Sequence, residues 1–143
     1  TWDILLTELV NYIDSEITAA FESGGWSSDD ASIPDLVEFM LDEHVGTLDG
    51  LFSDRLWAQL WAMEQVEPLV SDLLEDVYAK FLLILETKIA ACGVKQPRSE
   101  ALAIMSMVEG ESLFMGTGRR WMTDRSSVRK VILSFVAQRY SGA

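Results

Sequence analysis

The sequence predicts an all-α fold of about six helices. Three observations carry this. Apolar residues recur at three- and four-residue spacing through most of the 143 residues, proline and glycine punctuate that pattern at helix-length intervals, and no stretch alternates apolar and polar residues as a strand would.

Residues 1–21 form the first helix. Trp2, Leu5, Leu6, Leu9, Ile13, Ile17 and Ala20 make one apolar stripe, and Asp3 sits in the first turn, where a negative charge suits the helix dipole. Ser23-Gly24-Gly25 ends this helix, and the polar stretch 26–32 reads as a loop. The second helix opens at Ser32-Ile33-Pro34-Asp35, because proline in a first turn loses no hydrogen bond. Leu36, Phe39, Met40 and Glu43 share its face until Gly46 and Gly50 weaken the helix. The third runs from residue 53 or 54 to 66, with the stripe Leu56, Trp57, Leu60, Trp61 and Glu64. Pro68 forces a break at Glu67 and starts the longest helix, 68–91. Leu69, Leu73, Val77, Phe81, Ile84 and Ile89 line one side of it, and Asp72, Glu75 and Asp76 mark the solvated side. Lys88 suits its C-terminal end, and Gly93 is a natural left-handed cap. Pro97 opens the fifth helix, with Ser99 and Glu100 in its first turn; from Ala101 to Met115 it is apolar on nearly every side. Gly116-Thr117-Gly118 and Arg119-Arg120 lead through a loop to the last helix, 126–140, which carries Val128, Val131, Ile132, Phe135 and Val136.

A chain of this length fits one domain, 1–143, and 49% hydrophobic residues are enough for a packed core. The net charge of -12 repels phosphate backbones, so this chain by itself is not a nucleic-acid binder, and the acidic surface serves solubility. Cys92 is the single cysteine and cannot form an internal disulfide; a structural thiol and a cytoplasmic location are expected. No apolar run is long enough to cross a bilayer and no signal peptide is present, so no membrane partner is expected. The chain starts at Thr1 inside a helical pattern, which suggests that an N-terminal part precedes it.

The chemistry that an enzyme needs is sparse. With His44 the only histidine, a multi-histidine metal site is excluded, and no metal or cofactor is expected. Gly116-Thr117-Gly118 is too short for a phosphate loop. Carboxylate pairs such as Asp42/Glu43 and Glu109/Glu111 read as solvated faces, and no catalytic residue is assigned.

Two features exceed a plain helical bundle. Trp57 and Trp61 lie one turn apart, and Phe39, Tyr78 and Phe81 can converge with them. Leu60, Glu64, His44, Met105 and Glu109 complete the candidate ligand-binding set, because small-molecule sites combine apolar and aromatic walls with a few orienting polar groups. A carboxylate beside aromatic faces suits a cationic or amphipathic ligand. The alternative is that these aromatics simply fill the core. The second feature is the apolar excess of the last two helices, which a partner would cover, most economically an identical subunit about a two-fold axis. Two helices from each subunit would then form a four-helix interface. Its expected residues are Ala101, Ile104, Val108, Ser112 and Met115 on one helix and Val128, Val131, Ile132 and Phe135 on the other. The alternative is cover from the first helix or from the loop 26–32.

These residues resemble the C-terminal regulatory domain of the TetR family of transcriptional regulators. The segment 56–64, Leu-Trp-Ala-Gln-Leu-Trp-Ala-Met-Glu, looks like that fold's sixth helix, and 68–74, just after a proline break, looks like the start of its long seventh. The segment 101–113, with Glu109 followed by Gly110, resembles the eighth, and the closing amphipathic helix the ninth. The resemblance covers about residues 53–140, and the rest by helix order. It implies an effector pocket within 1–92, dimerisation through 97–115 and 126–140, and DNA contact only through a helix-turn-helix head before Thr1. The implied function is effector sensing and dimerisation in a repressor whose DNA binding a small apolar or amphipathic ligand releases or alters. The alternative is a homodimeric helical scaffold with no ligand.

Overall fold

The structure is a computed structural model; it describes residues 1–23, 31–41, 54–116 and 118–141, apart from the side chains of 17, 18, 20–23 and 54–58. Six α-helices make up the described part: α1 (Trp2–Ser23), α2 (Ile33–Leu41), α3 (Asp54–Met63), α4 (Pro68–Ala91), α5 (Pro97–Met115) and α6 (Arg125–Arg139). A short 3₁₀ turn, Met122–Asp124, precedes α6, and no strand occurs among the described residues. None of these helices is long and apolar enough to cross a membrane.

The boundaries follow local chemistry. Ser32 and Asp35 cap α2 reciprocally: the Ser32 amide donates to the Asp35 carboxylate at 3.2 Å, and the Asp35 amide donates to the Ser32 hydroxyl at 3.1 Å. Glu67 is extended (φ -122, ψ 102), as a residue before proline must be, and Pro68 starts α4. Beyond α4, Gly93 adopts φ +78 and its amide donates to the Ala90 carbonyl at 3.0 Å, the left-handed close that the sequence predicts. The Lys88 ammonium donates to the Ala31 carbonyl at 2.8 Å and so ties the end of α4 to the entry of α2.

Helix α4 is the axis of the fold. It packs against α5, α1, α3 and α2, and buries Val70, Leu73, Leu74, Val77, Phe81, Leu85 and Ile89. This face is broader than the predicted stripe, and Leu69, expected on it, is exposed. The stripe of α1 also divides. Leu6 and Ile13 are buried against the core, whereas Trp2, Leu5 and Leu9 are exposed. Among the described elements α4 alone packs against α1, and it covers Leu6 and Ile13 but not the rest of the stripe. On α2 the buried face is Ile33, Leu36, Val37 and Leu41, with Phe39 and Met40 half-buried at its edge. Asp72, Glu75 and Asp76 are exposed, as expected.

Candidate ligand site

Trp61, Tyr78 and Glu109 come together from three helices, α3, α4 and α5. Each directly follows a residue locked in the core: Leu60 (2% exposed), Val77 (1%) and Val108 (5%). One residue further along an α-helix turns the side chain by about 100°, which carries each of the three from the core to its rim. The Trp61 and Tyr78 rings lie 5.5 Å apart between centroids, tilted by 31°. Trp61 stays 39% exposed, so its ring is reachable from solvent.

The Glu109 carboxyl is the acidic group near these two side chains. Its burial raises its pKa above the usual carboxylate range; the Tyr78 hydroxyl and the Trp61 indole N–H, which face it, oppose the rise, and the Glu111 charge adds to it. Desolvation wins because the donors are neutral and the charged neighbour carries the same sign.

Glu111, two residues along α5, is treated differently. It is 3% exposed, in contrast to the solvated face expected for the pair. Arg125 donates to both of its oxygens, and Arg129 Nε donates to Oε1 at 3.1 Å. The two arginines are four residues apart on α6 and so share one face. That spacing is the signal in the sequence, but nothing local shows which acid the pair meets. A second cluster ties the chain end to α5: Arg139 donates twice to Glu100, at 3.0 and 2.7 Å, and the Tyr140 hydroxyl donates at 2.7 Å. These bonds hold the Glu100 carboxyl below its usual range, while desolvation and the Glu100 contact raise the Tyr140 phenol.

The remaining candidates divide by position. Leu60, Phe81 and Met105 are buried core residues, and Phe39 packs half-buried against the core. Glu64 is half-buried and accepts from Gln65 at 3.1 Å. His44 and the Trp57 side chain lie outside the described residues. Of the expected interface set, Ala101, Ile104, Val108 and Ile132 already lie in the chain's own core. A residue with almost no exposed surface has little to lose to a partner. Ser112, Met115 and Val128 are half-buried, and Val131 and Phe135 are exposed. Exposed beside them are Leu102, Leu113 and Phe114 on α5, which the sequence reading does not single out as interface.

An open groove of about 650 Å³ lies elsewhere, between the α4–α5 turn and the end of α6. Half-buried Cys92 and the Glu100–Arg139–Tyr140 cluster line it, and it holds none of the predicted ligand residues. Its Glu100 and Arg139 are bonded to each other. Among the described residues no group of three or more His, Cys, Asp or Glu is placed to hold a metal ion.

Comparison of the chain with protein-family models, curated proteins and solved structures finds no match.

Proposed function

We propose that this chain is an effector-sensing and dimerisation domain of a TetR-like transcriptional regulator, a repressor whose DNA binding is altered by a small apolar or amphipathic ligand. The observation that carries the reading is the meeting of Trp61, Tyr78 and Glu109. Two aromatic faces and one orienting carboxyl, at the junction of three helices, have the composition of a small-molecule site. The groups facing Glu109 are a phenol, an indole and a second carboxylate, which suit holding a ligand rather than transforming one. The link to DNA rests on the resemblance of residues 53–140 to the family's regulatory domain.

The dimerisation half of the reading rests on exposed apolar surface. Leu102, Leu113 and Phe114 on α5 and Val131 and Phe135 on α6 are 45–61% exposed. Leu102, Ser106 and Leu113 fall at helical spacing on one face of α5, as Val131 and Phe135 do on α6. A second copy about a two-fold axis would cover both faces with four helices. The same surface also supports the competing reading, a helical dimer without a ligand.

A thermal-shift screen of small apolar, amphipathic and charged compounds separates the two. A compound that binds the native domain raises its Tm by mass action, by the equivalent of about 2.7 kcal/mol at a hundredfold excess over Kd. The shift is expected to vanish in Trp61→Ala. Absence of any Trp61-dependent shift across such a screen would contradict the ligand reading and leave the dimeric scaffold.

A further inference from the structure

We infer that the groove between the α4–α5 turn and the end of α6 is a second binding site, and that it takes a small organic monoanion, a carboxylate on an apolar body. Arg139 and Lys95 would hold the carboxylate, and Val94 and Tyr140 would face the body. The inference goes beyond the Trp61 cluster and stands whether or not that cluster binds a ligand.

The groove has a volume of about 650 Å³, inside the range of small-molecule sites, about 300–1,000 Å³. Among the described residues, three charged side chains line it: Lys95, Glu100 and Arg139. Glu100 is already engaged. Its Oε1 accepts from Arg139 Nε at 3.0 Å and from the Tyr140 hydroxyl at 2.7 Å, and its Oε2 accepts from Arg139 Nη2 at 2.7 Å. These bonds favour the ionised carboxylate. Arg139 is only partly engaged. A guanidinium carries five N–H groups in a planar fork, and Glu100 takes two of them. The others belong to a side chain that is 61% exposed, where an acceptor can reach them. Lys95 brings an exposed ammonium to the same groove. Two cations against one carboxylate leave the lining with one positive charge and with charged donors in excess. The guanidinium fork matches a carboxylate in geometry, and bonds between charged partners are the strong ones. A cationic ligand would meet Lys95 and Arg139. A phosphate monoester would bring about two charges to a lining that carries one. The walls supply a place for the body: Cys92, Val94 and Tyr140 pack half-buried against the core and line the groove. The chain's charge of -12 opposes an anion at a distance. In about 0.1 M salt, however, exposed charges more than about 10 Å away are largely screened, so the groove's own residues decide.

The test uses benzoate and benzamide, which share a shape and differ in charge. Calorimetric titration gives their affinities, and alkylation by iodoacetamide of Cys92, the single cysteine, shows where they sit. In about 0.1 M salt, benzoate is expected to bind about tenfold or more tighter than benzamide, the order expected of charge-assisted against neutral hydrogen bonds, and to slow alkylation of Cys92. Lys95→Gln and Arg139→Gln should each weaken benzoate, and together remove its advantage, at unchanged helix content. Arg139→Lys, which keeps the charge and loses the fork, should retain part of it. Equal affinities in the wild type, or an advantage that survives the double variant, overturn the anion assignment. Phenyl phosphate binding tighter than benzoate overturns the choice of a monoanion. Binding that leaves the alkylation rate of Cys92 unchanged overturns the placement in the groove. No binding of any of the three probes overturns the site, and the Trp61 reading is untouched by that result.

Discussion

Glu109 and Glu111 stand two residues apart on α5 and respond to opposite changes. Glu111 is 3% exposed and holds Arg125 and Arg129. Removing one partner from a buried ion cluster strands the others, so Glu111→Ala is expected to cost about 3–5 kcal/mol. Urea denaturation measures this as a lowered midpoint at unchanged slope. Glu109 is raised by burial. Its folded pKa lies above its unfolded one, so its contribution is favourable below the unfolded pKa and is lost as pH rises through the folded value. Glu109→Gln, which carries no charge, should therefore raise Tm near neutral pH, and the gain should shrink below about pH 4. Glu100 behaves in the reverse sense. Held below its usual range by Arg139 and Tyr140, it stabilises above its unfolded pKa and loses that as pH falls through its lower folded value. Its pairing is largely surface-screened, so Glu100→Gln should cost no more than about 1 kcal/mol at neutral pH, a loss that disappears in acid melts.

At the scale of elements, most boundaries were legible because they rest on local rules. Pro34, Pro68 and Pro97 stand in the first turns of α2, α4 and α5, and Gly93 closes α4. Gly93 also gives a clean prediction. A Cβ there meets nothing within 4 Å, so the cost of Gly93→Ala comes from its φ of +78 alone. A left-handed alanine costs roughly 1–2 kcal/mol, readable as a lower Tm with no change in helix content. What was not legible depends on the angles between helices. Periodicity marks Leu5 and Leu6 of α1 alike, yet Leu6 is 2% exposed and Leu5 63%, because α4 covers one and not the other. The same ambiguity puts Ala101 and Ile104 inside and Leu102 outside on α5. Of the ligand candidates, Trp61, Tyr78 and Glu109 were named together from residue type and spacing, but which of the ten would meet was not legible, since that follows from how α3, α4 and α5 cross. The burial of Glu111 was hidden for the same reason: its partners come from α6, fourteen and more residues away.

For the whole molecule, two properties oppose each other: a net charge of -12 and an apolar face on α5 and α6. Association through that face brings two acidic chains together, so screening should favour it. Sedimentation is expected to find a dimer at micromolar concentration, tighter as salt rises from about 0.05 to about 0.5 M. Phe135→Glu, a charge placed on the apolar face, should leave a monomer with unchanged helicity. Dissociation by salt would instead point to an interface built on ion pairs. The claim on which the functional account stands is that Trp61 lies at the ligand site. The sequence has five tryptophans, so an ¹⁵N–¹H spectrum carries five indole signals, and Trp61→Phe assigns the one at the cluster. Titrating the strongest stabilising compound from the thermal-shift screen should move the Trp61 indole signal by far the most, saturating at the calorimetric Kd. A Trp61 signal that stays fixed while other indole signals move to saturation would contradict the account.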